Sequence, residues 1–174
     1  AIIDMGSGYG NIGIYSEGGS TSAINNSTIK VGSSNVSTSE YSIGMAASSG
    51  SSINNIGDIY VTGSNSIGMY GDGIGSSVYN NGNIYLDATG ATSLNLKNQM
   101  IGIYLDNGAH GENWGDVKTL SNYAGNTNVN TLVGISVQRG STFENHGNIE
   151  INSDNGVGVY VNNGIIKNYG TITV

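Results

Sequence analysis

The stretch Val78–Leu86, with the sequence VYNNGNIYL, decides the fold of this 174-residue chain. It follows the pattern apolar-x-Asn-x-Gly-x-apolar-x-apolar, in which apolar and polar positions alternate as they do in a strand with one buried face. The chain carries five further copies of the pattern, some of them imperfect. They are Ala23–Val31, Ile53–Val61, Gly111–Thr119, Phe143–Ile151 and Ile166–Val174. Such self-similarity indicates a repeat architecture, in which each repeat buries its apolar face against its neighbours.

A shorter motif, apolar-Gly-apolar, alternates with the longer one. The glycine of each short motif precedes the asparagine of the long motif that follows it by 12, 11, 12, 11, 11 and 10 residues. The distance from one short motif to the next varies more, from 24 to 34 residues. A nearly constant arm with a variable return segment is typical of a solenoid, whose loops can grow on one side. The short motifs are Ile12–Ile14, Ile43–Met45, Ile67–Met69, Ile101–Ile103, Val133–Ile135 and Val157–Val159.

These spacings predict an all-β protein, a right-handed parallel β-helix of about six coils of 23–34 residues with variable loops on one side. Residues 1–174 are interpreted as a single β-helix segment, a fragment of a much longer protein. Coils stacked at about 4.8 Å place like residues on like. The expected inward core column is Ile29, Ile59, Ile84, Val117, Ile149 and Ile172.

The same stacking predicts a ladder of asparagine side chains at one corner of the coil, where each amide can bond to the next. Asparagine also tolerates a left-handed turn. The glycine two residues after each asparagine is expected to supply the positive φ of a tight corner. The predicted ladder consists of Asn25, Asn55, Asn80, Asn113, Asn145 and Asn168.

Composition excludes several classes of protein. Glycine, asparagine, serine and threonine make up about half of the chain, and cysteine and proline are absent. Without cysteine there is no disulfide scaffold and no thiolate metal centre. A net charge of −7 with five basic residues argues against a nucleic-acid partner. No apolar run approaches the length of a membrane-spanning helix.

The repeated N-x-G-x-I-x-[VIL] element, seen at Asn80–Leu86, Asn145–Ile151 and Asn168–Val174, resembles the passenger repeats of type V autotransporters. The [IV]-G-[IMV]-Y element does so as well, and both are similar to large outer-membrane adhesins of fusobacteria and related anaerobes. The resemblance implies an extracellular passenger segment, displayed on the bacterial cell surface and held to the outer membrane by a β-barrel outside this sequence. It also implies a rigid stalk that presents or contributes to binding of a host or bacterial receptor, a protein or a glycan.

Tyrosine follows four of the six short motifs. If the glycine of the motif faces outward, the tyrosine two positions later faces outward too. Aromatic rings with a hydroxyl group bind sugars and protein partners well, although stacked tyrosines can also simply shield a sheet face. The candidate ligand-binding residues are Tyr15, Tyr70, Tyr104 and Tyr160.

The return segments Asp87–Met100 and Leu120–Leu132 are the least repetitive parts of the chain. On a rigid scaffold, recognition is often carried by such loops. Long surface insertions also cost little, so these segments could equally be without function.

The sequence predicts no catalysis, no metal and no cofactor. His110 and His146 lack a partner at metal-site spacing, and Glu150 is the only acid expected on the outer face of a strand. Asp72 and Asp106 could contribute to a calcium site, but no loop has three acidic ligands. The alternative function is a polysaccharide-binding or polysaccharide-degrading β-helix of the lyase or phage-tailspike type, which would need clustered carboxylates on one outward face.

Overall fold

The computed structural model describes residues 1–34 and 40–174 and is all-β. Three parallel sheets wind around one axis, and each of six successive coils contributes one strand to each sheet. The predicted right-handed parallel β-helix is therefore confirmed. Its coils stack in register, so that repeated motif positions pair directly, as Ile84 does with Ile59 and Val117.

Along each coil the chain passes through three sheets, here called B, C and A in that order. One additional strand at the start of the chain, β1 (Ile2–Asp4), gives sheet A seven strands. Sheet A contains β1 (Ile2–Asp4), β4 (Thr28–Val31), β7 (Asp58–Val61), β10 (Asn83–Leu86), β13 (Asp116–Thr119), β16 (Asn148–Glu150) and β19 (Thr171–Thr173). Sheet B contains β2 (Ile12–Glu17), β5 (Ile43–Ser48), β8 (Ile67–Asp72), β11 (Lys97–Asp106), β14 (Val129–Gln138) and β17 (Val157–Asn162). Sheet C contains β3 (Ser22–Asn25), β6 (Ser52–Asn55), β9 (Ser77–Asn80), β12 (His110–Asn113), β15 (Thr142–Asn145) and β18 (Ile165–Asn168).

The interior holds a column of aliphatic side chains from sheet A. Five of the six residues expected there are fully buried, namely Ile29, Ile59, Ile84, Val117 and Ile149. Ile172 also points inward, towards Gly158, and is 38% exposed. It pairs with Ile149 on one side, and no described coil packs on its other side. An inward side chain of a solenoid is covered only where coils lie both above and below it.

The corner between sheets C and A holds an unbroken chain of amide hydrogen bonds. The Nδ2 atom of each asparagine donates to the Oδ1 atom of the next one along the axis, at 2.7 to 2.9 Å. The second Nδ2 hydrogen spans the corner to the carbonyl oxygen two residues later, at 2.9 to 3.1 Å. The members of the chain are Asn25, Asn55, Asn80, Asn113, Asn145 and Asn168.

The ladder asparagines also provide hydrogen-bond partners for the backbone N–H groups of the same corner. The carbonyl oxygen of Asn80 accepts from the N–H groups of Trp114 and Gly115 in the next coil, at 2.7 and 3.2 Å. The carbonyl of Asn113 accepts from His146 and Gly147 in the same way. Because a buried amide without partners is costly, this double use of each asparagine explains why the position repeats without exception along the solenoid.

The glycine after the asparagine serves a different purpose from the expected one. Gly82 and its equivalents do not have positive φ, and neither do the ladder asparagines. A Cβ atom on Gly82 would lie 2.1 Å from the carbonyl oxygen of Gly57 in the preceding coil, and one on Gly115 would lie 1.9 Å from that of Gly82. The glycine is therefore required by the close approach of two corners, because any side chain would collide with backbone.

Left-handed backbone occurs instead at the turns from sheet B to sheet C. There Ser49 and Gly50 have φ of 54° and 83°, and Asn107 and Gly108 have φ of 53° and 86°. Pairs of residues with positive φ make the tightest two-residue turns. The sequence interpretation thus placed this conformation at the wrong corner.

Replacing Asn80 by alanine is expected to destabilise the fold by about 2 to 4 kcal/mol, because the buried amide nitrogen of Asn55 and the amide oxygen of Asn113 each lose a partner. Urea unfolding followed by circular dichroism measures the change. The matched control is Asn81→Ala at the exposed neighbouring position, where a change within about 0.5 kcal/mol is expected. Equal effects of the two substitutions would contradict the importance of the ladder.

Replacing Gly82 by alanine is expected to cost about 3 kcal/mol or to prevent folding, because the methyl group meets a backbone carbonyl that cannot move away. The control is Gly19→Ala, whose Cβ atom would meet no heavy atom within 4 Å and whose backbone is not left-handed. Thermal unfolding of both variants distinguishes close approach from a general intolerance of substituted glycine. A Gly82→Ala protein as stable as the parent would refute the explanation.

Candidate functional site

The short motif bends the strand where it enters sheet B. In β8 the side chain of Met69 is fully buried, and a Cβ atom on Gly68 would point at the core side chains of Ile84 and Val61. Two consecutive residues therefore face inward, which leaves Ile67 and Tyr70 on the outer face. The condition on which the outward tyrosine was predicted, an outward glycine, is therefore not met, although Tyr70 does face outward.

This bend gives the outer face of sheet B two parallel columns of side chains. One is aliphatic and contains Ile43, Ile67, Ile101, Val133 and Val157, which pair in register along the axis. The other follows the tyrosine position and contains Tyr15, Ala46, Tyr70, Tyr104, Ser136 and Tyr160. Side chains that would be core in an ordinary strand thus line the outside of the solenoid.

The two columns enclose a groove that runs along the axis, here called the sheet-B groove. It consists of two hollows of about 370 and 430 Å³, which adjoin at Gln99 and Ile101. The aliphatic column forms the floor, and Tyr70, Tyr104 and Tyr160 stand along one side. The groove therefore joins several coils, and no single repeat could form it.

The four candidate tyrosines do not form one continuous stripe. Tyr70 and Tyr104 stack with ring centroids 5.5 Å apart and planes 28° apart. Ala46 separates them from Tyr15, which is 52% exposed and bonds to the hydroxyl of Ser48. Ser136 separates them from Tyr160 on the other side. The structure brings together two of the four rings and places a third, Tyr160, in the second hollow.

The opposite side of the groove carries residues that sequence reasoning missed. Asn65, Gln99 and Thr131 each lie two positions before a floor residue, and all three have positive φ, of 56°, 49° and 48°. Such backbone is uncommon for residues other than glycine and often marks functional positions. The sequence signal for the groove is that Ile67 and Tyr70 are three residues apart. In a regular strand, residues three apart point to opposite faces, so their shared face requires a bend between them.

A network of charged groups closes one end of the tyrosine side. The Arg139 guanidinium pairs with both oxygens of the Asp106 carboxylate, with its Nε atom 2.6 Å from Oδ1. The amide of Asn107 donates to Asp72 at 2.7 Å and accepts from Arg139 at 3.1 Å. Asp72 and Asp106, the two acids considered as calcium ligands, thus already have partners, the amide of Asn107 and the guanidinium of Arg139.

The phenol of Tyr70 is held in its neutral form. Burial raises the pKa of Tyr70 above its ordinary value, and the nearby carboxylates of Asp72 and Asp106 raise it further. The pKa of Tyr104 is raised for the same reasons, and its hydroxyl lies 3.4 Å from an oxygen of Asp106. Both hydroxyl groups are uncharged at neutral pH, as in any tyrosine, and the raised pKa values extend this neutral form to higher pH.

The two return segments proposed as recognition loops are joined to each other. Tyr123, in the segment Leu120–Leu132, is buried, and its hydroxyl accepts a hydrogen bond from the backbone N–H of Ala88 at 3.1 Å. Leu94 in the segment Asp87–Met100 is 99% exposed. Both segments thus carry core residues, Met100 in one and Tyr123 in the other, and both also present an exposed leucine, Leu94 and Leu120.

The outer face of sheet C carries acids that the sequence interpretation did not place there. Glu112 and Glu144 pair in register, and Lys167 donates to Glu144 at 2.9 Å. His110 and His146 lie 3.3 and 3.6 Å from these carboxylates. Glu150 is therefore not the only acid on an outer strand face. Glu112 has His110 as a neighbour, and Glu144 has His146 and Lys167.

An aromatic stack runs along the corner next to the asparagine ladder. The ring of His146 lies between Trp114 and Tyr169, at centroid distances of 3.9 and 4.9 Å. The indole Nε1 atom of Trp114 donates to Glu112 at 2.8 Å. This histidine occupies a stacked surface position.

Residues 1–34 and 40–174 contain no group of three or more histidine, cysteine, aspartate or glutamate side chains suited to a metal ion. Over the same residues no helix is long and apolar enough to cross a membrane.

Residues 1–116 match the family model described as the BigA third pectate lyase-like domain. The match covers the first three coils and most of the fourth, including the sheet-B groove from Tyr41 to Asp106. No curated protein and no solved structure matches the chain.

The raised pKa of Tyr70 predicts a specific loss of stability at high pH. The unfolded chain releases the phenol proton near pH 10, whereas the folded chain keeps it to higher pH, so stability falls as pH rises above about 10 by at most about 1.4 kcal/mol per pH unit for this group. The Tyr70→Phe variant should lack that part of the decline. Urea midpoints of parent and variant at pH 8 and pH 10.5 measure the difference, and parallel declines would contradict the assignment.

Proposed function

The chain belongs to the family of the BigA third pectate lyase-like domain, and from this premise we propose that it is a segment of a bacterial surface-displayed adhesin. In this proposal the segment is a rigid β-helical stalk that presents receptor-binding parts and contributes a binding groove of its own. It acts by shape and contact, without catalysis.

Stiffness is supported by the way the coils are joined. Every described coil is bonded to the next through three parallel sheets and one amide ladder, so bending would strain all four at once. Six coils at about 4.8 Å each span roughly 29 Å along the axis. A net charge of −7 suits a part that must remain soluble while it extends from a surface.

The observation that carries the binding role is the aliphatic floor of the sheet-B groove. Ile67 and Ile101 are half-buried on the outer face, Ile43 beside them is 9% exposed, and none of the three belongs to the interior cluster. Contiguous outward apolar surface, bordered by polar groups, is typical of a site that contacts another molecule. The stacked pair Tyr70 and Tyr104 adds aromatic surface with hydroxyl groups at its edge, which suits a protein or a glycan.

The second candidate function is a polysaccharide-binding or polysaccharide-degrading β-helix. The family to which the chain belongs is described as pectate lyase-like, and this favours it. Degradation would require an acid and a base within reach of one bond, whereas the Asp106 carboxylate at the groove is paired with Arg139. Measuring new reducing ends after incubation of the purified chain with polygalacturonate distinguishes degradation from binding.

Surface display is tested on cells that carry the parent protein. Antibodies raised against the purified chain are expected to label intact cells, and external protease is expected to remove the label. Labelling only after the cells are permeabilised would refute display at the surface.

Adhesion is tested with beads coated with the chain and applied to host and bacterial cells. The Tyr70→Ala/Tyr104→Ala variant is expected to reduce bead retention at least about tenfold, because both rings border the groove. The matched control is Tyr60→Ala/Tyr85→Ala, which removes a similar stacked pair, with centroids 4.8 Å apart, from the outer face of sheet A. Equal loss in both variants, or retention no higher than on uncoated beads, would contradict the proposed binding role.

A further inference from the structure

The polar groups along the sheet-B groove are almost all uncharged. Asn65, Gln99 and Thr131 line one side, and the tyrosine hydroxyls and Gln138 line the other. Each of these groups can both donate and accept hydrogen bonds. They repeat along the axis with the coil spacing, on either side of an apolar floor.

Charge around the groove is negative or neutralised. Among the described residues that line either hollow there is no lysine, arginine or histidine, and the ionised group is the carboxylate of Asp106. The nearest guanidinium, that of Arg139, is already engaged with both oxygens of this carboxylate. Lys97, in the same strand as Gln99, is buried and donates to the carbonyl oxygen of Thr62.

We infer that the sheet-B groove binds an uncharged linear glycan, laid along the solenoid axis, and discriminates against acidic polysaccharides. The inference rests on the proposed binding role of the groove and names its ligand class. The inferred ligand differs from pectate, the substrate named in the family description, because pectate is a polymer of sugar carboxylates.

A pyranose ring presents a flat C–H face and a rim of hydroxyl groups. The C–H face suits the floor of Ile67 and Ile101 and the ring surface of Tyr104, and the hydroxyl rim suits amides and phenols on both sides. A carboxylate on every sugar would instead find no free cation among the residues that line the groove, because the guanidinium of Arg139 is already paired with Asp106. Desolvating such a charge without a partner is costly.

An extended peptide fits the groove less well. A bound strand gains affinity mainly by pairing its backbone with the free edge of a sheet. The groove crosses β8, β11 and β14 on their outer face, where the backbone groups already pair with neighbouring strands. A peptide lying there would have only side-chain partners for its amide groups.

The test is binding of the purified chain to defined hexasaccharides on an array and then by calorimetry at low salt. The neutral probes are cello-, xylo-, manno- and chitohexaose, and the acidic probe is hexagalacturonate. We expect saturable binding to at least one neutral probe, at least about tenfold weaker binding in Tyr104→Ala, and no such loss in the control Tyr85→Ala. A second variant, Gln138→Lys, adds a cation to the groove and is expected to introduce binding of hexagalacturonate.

Three results would overturn the inference. One is tighter binding of hexagalacturonate than of every neutral probe by the parent chain. Another is neutral-glycan binding that Tyr104→Ala leaves unchanged while the variant remains folded by circular dichroism. The third is no glycan binding in a chain whose coated beads still adhere to cells through Tyr70 and Tyr104, which would leave the proposed adhesin function intact and assign a protein ligand to the groove.

Discussion

The structure depends on the corner where each coil turns from sheet C to sheet A. Stacked coils bury the polar groups of this turn, and buried amides are tolerated only when their bonds are made. Asparagine meets the requirement because its side chain has two hydrogens and an oxygen. One hydrogen spans the turn within a coil, while the other hydrogen and the oxygen join the coil to its two neighbours. Each turn of the solenoid is thereby fixed both internally and relative to the next turn.

Close stacking at this corner also restricts which residues can follow the asparagine. Gly82 and Gly115 lie so close to the carbonyl groups of the preceding coil that a methyl group would overlap with backbone atoms. Ser27 has the equivalent position at the first corner, and there its hydroxyl donates to the carbonyl of Ala1. The repeat is conspicuous in the sequence because the asparagine recurs at every corner and the position without a side chain recurs at the five corners after the first.

The fixed interior leaves the outer faces free to differ. Sheet A presents the Tyr60–Tyr85 stack, sheet C presents paired glutamates, and sheet B presents a groove with an aliphatic floor. The groove arises because the glycine of the short motif places two consecutive residues inward and thereby moves the preceding isoleucine outward. Loops and sheet faces can therefore acquire binding roles without altering the ladder that holds the coils together.

The sequence by itself determined the parallel β-helix, the number of coils and the position of each asparagine at a corner, because these follow from spacing and from the identity of repeated residues. It misjudged the reason for Gly82 and left the orientation of Gly68 undecided, since both depend on which atoms of another coil lie nearby. Only the tertiary structure decided that Ile67 and Tyr70 face the same side and that Gln99, from the following coil, completes their groove. Local pattern specifies how one coil folds, whereas a site built across coils depends on distances between residues that are 30 or so positions apart in the chain.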